Sequence, residues 1–132
     1  MKIKLNNPFY AVGEINKQIA REANIPAGGI FITKAVLEHI DMRHKEEIAK
    51  MHLSTEEFVS KVVANYSEIR KGSGDSYLLT VPSKRTAKVA AMSLEIRLDA
   101  RYKFWLIKTA YPIDTRRITS KQLVYQKKKP AR

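Results

Sequence analysis

The sequence predicts an α+β fold in a single domain, and three observations predict it. The chain has 132 residues, the length of one domain, and 44% hydrophobic residues, enough for one core. Apolar residues recur at helical spacing up to about residue 70 and at alternating positions beyond it. Between these regimes, Lys71-Gly72-Ser73-Gly74-Asp75 breaks both patterns. Helices followed by antiparallel strands is the α+β order, so the expectation is N-terminal helices packed on a roughly four-stranded antiparallel sheet. Residues 127–132 are expected to form a disordered basic tail on a domain spanning 1–132.

Taken in order, Ala11, Ile15, Ile19 and Ala23 fall on one helical stripe that ends before Pro26-Ala27-Gly28-Gly29. Ile30-Phe31-Ile32 reads as a strand or extended lead-in, and Thr33 is placed to cap a helix from about Lys34 to His52. Ser54-Thr55-Glu56-Glu57 matches the capping box, and Phe58, Val62, Tyr66 and Ile69 give the next helix its buried stripe. After the break, Tyr77 to Val81 forms a strand stopped by Pro82. From Lys88 the even positions Ala90, Met92, Leu94, Ile96 and Leu98 are apolar, while Ser93, Glu95 and Arg97 face the other way. A turn at Asp99-Ala100 leads into a strand from Tyr102 to Tyr111. Strict alternation puts Tyr102, Phe104 and Leu106 on one face of it and Trp105, Ile107, Thr109 and Tyr111 on the other. Trp105 is assigned to the core, and Lys121 to Gln126 supplies a last strand.

Composition narrows the chemistry. Cysteine is absent, which excludes disulfides, thiolate zinc sites and a cysteine nucleophile. No apolar run approaches the roughly 18 residues of a membrane span, and Met1 to Tyr10 lacks the apolar stretch of a signal peptide, so the expected compartment is cytoplasmic unless the domain is the delivered effector of a larger system. The net charge of +12 is lopsided: residues 1–70 carry a balance of +1 and residues 71–132 a balance of +11. A one-sided excess predicts a face that meets phosphates. Lys84 and Arg85, in a hydroxyl-rich loop after Pro82, together with Arg97, Lys108 and Arg116, are the expected nucleic-acid contacts, with Lys103 and Arg117 next in line.

Two segments carry candidate chemistry. His39-Ile40-Asp41-Met42-Arg43-His44 lies on the second predicted helix, and Lys108-Thr109-Ala110-Tyr111-Pro112 closes a strand. Imidazole, guanidinium, ammonium and hydroxyl groups suit proton transfer at neutral pH and stabilisation of a pentacovalent phosphate. At about 100° per residue, His44 shares a stripe with Leu37, Ile40, Ile48 and Met51, whereas His39 sits about 140° away beside Arg43. A core histidine satisfied by backbone groups fits the stripe as well as a catalytic one does. Two imidazoles five residues apart do not converge on a metal, so no metal and no cofactor are expected.

The order Gly29-Ile30-Phe31-Ile32-Thr33, then His39-Ile40 and Arg43-His44 on a helix, then strands ending in Thr109-Ala110-Tyr111-Pro112, resembles the barnase/EndoU/colicin-type (BECR) ribonuclease superfamily, closest to its phage-associated branch. The likeness runs from about Val12 to Arg117. It implies helices followed by a four-stranded antiparallel sheet and RNA cleavage without metal. His39, Arg43 and His44 would then be the helix-borne site and Thr109 and Tyr111 the sheet-borne one.

The resulting expectation is a phage- or toxin-associated endoribonuclease. One histidine, His44 before His39, would take the proton of the RNA 2′-hydroxyl, and a 2′,3′-cyclic phosphate would result. Arg43 and a basic side chain of the sheet would stabilise the developing charge, and Thr109 would donate a hydrogen bond to a phosphate oxygen. RNA and a cognate immunity or antitoxin protein are the expected partners. The alternatives are a nucleic-acid-binding module without chemistry, which would leave RNA intact, and a phage structural or assembly domain with a degenerate site.

Overall fold

A computed structural model describes residues 2–4, 8–82, 91–101 and 103–128 of the chain. In chain order its elements are β1 (Lys2–Lys4), β2 (Pro8–Ile15), α1 (Lys17–Ala23), β3 (Gly28–Thr33), α2 (Lys34–Ala49), α3 (Thr55–Asn65), β4 (Glu68–Lys71), β5 (Ser76–Val81), β6 (Ala91–Asp99), β7 (Phe104–Ile113), α4 (Thr115–Thr119) and β8 (Leu123–Gln126). The α+β class is as the patterns predict. The sheet is not, because the described strands form one eight-stranded sheet in the order β1-β2-β3-β7-β6-β5-β4-β8. It is mixed, with β3 and β7 parallel and the other neighbours antiparallel. The expected four-stranded antiparallel sheet behind N-terminal helices is therefore corrected.

The enlargement comes from the N-terminal part of the chain. Ala11, Ile15, Ile19 and Ala23 are four apart, a spacing that satisfies a period of 2 as well as one of 3.6. Phe9 to Val12 are mostly strand formers, and the segment forms β2, which pairs with β3. Asn16 then caps α1, its side chain accepting from the Ile19 N–H at 2.8 Å, and Asn24 closes it in the left-handed region at φ 58°. A bulge at Val12 interrupts the β2 ladder. Beside it, Gly13 admits Val63 of α3 so closely that a Cβ would collide with the valine side chain.

Where the helical signals were explicit, they hold. Thr33 caps α2, its side chain accepting from the Val36 N–H at 3.2 Å, and Ser54 and Glu57 form both halves of the capping box of α3. Ile69, predicted to extend the stripe of α3, lies instead in β4.

Helices α1, α2 and α3 share one core with the sheet. Ile40 and Ile48 of α2 and Phe58, Val59, Val62 and Val63 of α3 pack with Ile69, Leu79, Leu94, Ile96, Ile107 and Ala110. Trp105 is buried as expected, and its indole N–H donates to the Pro26 carbonyl at 3.1 Å. Opposite these helices, the second face of the sheet carries a smaller apolar cluster at one end: Ala91, Ile113 and Ile118 of α4, with Tyr111 against them.

A bulge in β7 decides which residues reach that second face. Thr109 pairs with Glu95, but Ile107 pairs with Ile96, so Lys108 is one residue in excess. Strict alternation would send Thr109 and Tyr111 to the core face with Trp105 and Ile107. The extra residue reverses the assignment: Ala110 takes the core position at 0% exposure, and Thr109 and Tyr111 join Phe104 and Leu106 on the other face. That face, on which Ser76, Leu78, Thr80 and Ser93 are themselves buried, is called the open face below.

Candidate active site

Topology places α2 beside β7. Strand β3 pairs with β7 only through Ile30 with Trp105 and Phe31 with Leu106, then turns at Thr33 into α2. Among the described residues, β7 has from Ile107 onward a strand neighbour on one side only, with α2 on the other. This explains Pro112, which sits inside β7 rather than ending it: along an edge, the missing N–H breaks no ladder. It also lets a helical side chain reach the sheet, and the His44 ring lies 5.4 Å from the Tyr111 ring, tilted by 32°.

His44 is held on its own helix as well. Its Nδ1 lies 3.0 Å from Glu47 Oε1, one helical turn on, and its side chain keeps 22% of its surface exposed. A carboxylate only accepts, so Nδ1 carries the hydrogen in this contact, and Nε2 is left to accept a proton or, once protonated, to donate one.

Register brings further groups to the same place. On the open face, Ser93 stands opposite Tyr111 and Glu95 opposite Thr109, with Cβ atoms of such pairs about 5 Å apart. The Ser93 hydroxyl donates to the Tyr111 carbonyl at 2.6 Å, fixing β7 where it meets His44. Burial, then the negative charge of Glu95, raises the Tyr111 phenol above its ordinary value, while Arg117 of α4 pulls the other way. Tyr111 is therefore a phenol, a hydrogen-bond donor, at neutral pH. Lys108, displaced by the bulge, is exposed beside Thr109.

Three carboxylates lie on this face, Glu68, Glu95 and Asp99, and their surroundings separate the first two. Glu68 is 12% exposed and saturated: Arg70 Nε donates to it at 3.1 Å, and Thr80 and Gln126 approach it at 3.4 and 3.5 Å. Glu95 is half-buried and, among the described residues, has no hydrogen-bond donor or ion-pair partner.

Of the predicted site residues, the fold brings His44 against Tyr111, with Thr109 on the same face of β7 as Tyr111 and Lys108 exposed next to it in the chain. His39 and Arg43 are exposed on α2, and no hydrogen bond or ion pair among the described residues joins them to β7. Arg97 is exposed on the open face opposite Leu106. Arg116 points into solvent at 93% exposure, loosely paired with Asp114 at 3.5 Å, while Arg117 is the arginine near Tyr111. Lys84 and Arg85 lie outside the described residues. Glu95 was missed as a site residue although its alternation with Ser93 and Arg97 was visible. The signal was a lone carboxylate on the polar side of a strand. Among the described residues no group of three or more His, Asp or Glu side chains stands close enough to hold a metal ion, and no helix is long and apolar enough to cross a membrane.

The arrangement sets an imidazole against a phenol and, in register on the same face as that phenol, a carboxylate and a threonine hydroxyl, with Arg117 near Tyr111 and Lys108 exposed next to Thr109 in the chain. Comparison with known proteins found no match to this chain among family models, curated proteins or solved structures.

Proposed function

We propose that the protein is a metal-independent endoribonuclease of the BECR-like kind, a phage- or toxin-associated effector acting on RNA. The observation that carries this reading is the meeting of His44 with Tyr111, whose face also holds the carboxylate of Glu95. Cleavage by the neighbouring 2′-hydroxyl needs one group to take a proton and another to give one, and a carboxylate and an imidazole divide that work at neutral pH.

In this mechanism Glu95 takes the proton of the 2′-hydroxyl as its oxygen bonds to phosphorus. The bond from phosphorus to the 5′-oxygen breaks, and the protonated His44 gives its Nε2 proton to the leaving oxygen. The products are a 2′,3′-cyclic phosphate and a 5′-hydroxyl. Thr109 and Tyr111 donate hydrogen bonds to the phosphate oxygens, and Lys108 and Arg117 offset their growing charge. Arg43 and His39 carry no step.

The test is single-turnover cleavage of RNA by wild type, His44→Gln and Glu95→Gln in excess chelator. Each substitution should lower the rate by about 10² to 10⁴ while leaving the fold intact. Wild-type rates in both variants would dismiss the site. RNA left intact by the wild type, yet bound, would favour the non-catalytic binding module, and activity that needs a divalent ion would remove the proton-transfer scheme.

A further inference from the structure

Beyond the bulge, the open face changes character from polar to aromatic. Phe31 of β3 and Phe104 of β7 have ring centroids 4.6 Å apart, and Phe9 of β2 meets Phe104 edge-on at 5.5 Å. Gly29 allows this: a Cβ there would stand 2.8 Å from Phe31 Cε1, so the ring lies down along its own strand. Phe31 is 9% exposed at the base of the group, and Phe9 and Phe104 are half-buried above it. Leu106 continues the apolar surface along β7.

Cations accompany these rings, together with one carboxylate, Asp99, the register partner of Phe104. Arg97 is exposed opposite Leu106, and the turn into Phe104 carries exposed Lys103. Lys108 follows on β7, with Thr109 and Tyr111 next. From Phe104 to Thr109, discounting the bulged residue, the strand rises about 13 Å, the reach of a few nucleotides. Phosphate-binding charge beside aromatic surface is the composition that holds unpaired bases, since every base has a face to stack and every nucleotide a phosphate. A duplex hides its base faces and cannot use it.

We infer that the Phe9, Phe31 and Phe104 cluster is a nucleobase-stacking subsite that makes the protein a reader of single-stranded RNA, feeding the strand across Arg97 and Lys108 to the site at Thr109 and His44. The identity of the strand as RNA rests on the ribonuclease reading. The subsite itself rests on the aromatic cluster and its flanking charge.

The experiment is fluorescence anisotropy with the intact protein at fixed salt. Three probes are used: a labelled short 2′-O-methyl oligouridylate, which cannot be cleaved, the same backbone with abasic positions, and a blunt RNA duplex. The base-bearing strand should bind at least about tenfold more tightly than either of the others, in line with aromatic–base stacking. Phe104→Leu and Phe9→Leu keep the apolar packing, and each should weaken binding of the base-bearing strand about fivefold or more while leaving the abasic strand unchanged. Equal affinity for base-bearing and abasic strands would overturn the subsite, a comparison that needs no variant. A base preference that survives both leucine substitutions would also overturn it. Cleavage of an unmodified strand is scored separately: base-dependent binding without cleavage keeps the subsite and removes the ribonuclease reading, and cleavage without base dependence does the opposite.

Discussion

The two faces of this sheet are made by the same strands and differ in almost everything else. Against α1, α2 and α3 stand Ile69, Leu79, Leu94, Ile96, Ile107 and Ala110, all at most 1% exposed and without a polar atom in their side chains. One residue along each strand lie Arg70, Thr80, Ser93, Glu95, Thr109 and Tyr111. The first face supplies apolar burial, the dominant favourable term in folding. The second supplies hydrogen-bonding and charged groups held on a rigid element, where positions are better fixed than on loops. Alternation is thus a division of labour, and substitutions on the two faces should have separable consequences.

Removing the device that sorts the faces should have the largest effect. Inserting one residue between Glu95 and Ile96 gives Lys108 a partner, makes the ladder regular and would drive Glu95, Thr109 and Tyr111 toward the helices while moving Leu94 and Ala110 outward. The expected result is loss of cleavage and a fall in stability of more than about 4 kcal/mol, measured by urea unfolding. Lys108→Ala keeps the bulge and should change stability by no more than about 0.5 kcal/mol. An insertion variant that stays folded and active would show that the bulge does not sort the faces.

Single substitutions on each face should sharpen the contrast. Leu94→Ala, in the fully buried centre, should cost about 2 to 5 kcal/mol and leave activity per folded molecule unchanged. Thr109→Ala, its counterpart one register position along β7 on the other face, should cost little stability and lower the single-turnover rate instead. Parallel loss of stability and rate in both variants would mean that the faces are not independent.

The smallest expected effect concerns the tyrosines at high pH. Burial, then Tyr125 and Glu14, push the Tyr66 phenol from 10.0 up to about 12. Between those values the unfolded chain has lost the proton and the folded chain keeps it, so the contribution of Tyr66 is complete below pH 10 and disappears as pH rises to about 12. Tyr66→Phe should flatten the alkaline fall in stability across that window and remove one late-titrating tyrosinate from the ultraviolet titration. Tyr111, raised in the same direction on the open face, should remain as another late-titrating phenol in that variant.

Much of this was legible in the residues themselves. The caps Thr33 and Ser54 fixed the starts of α2 and α3, because side-chain capping is local chemistry. Alternation marked β5 and β6, the charge excess fell after residue 70, and the stripe of Ile40, His44 and Ile48 placed His44 on the inward side of its helix. Other features were decided only in three dimensions. Spacing by four could not separate β2 from a helix, since it fits both periods, and pairing with β3 resolved it. Nothing local makes Lys108 a bulge, because a bulge is a property of two strands in register. That single excess residue moves Thr109 and Tyr111 to the open face and sets them beside Glu95. The sequence by itself determined which groups were available, since residue type and local period are carried by the chain. Only the tertiary structure decided which of them meet, because strand partners and register depend on residues distant along it.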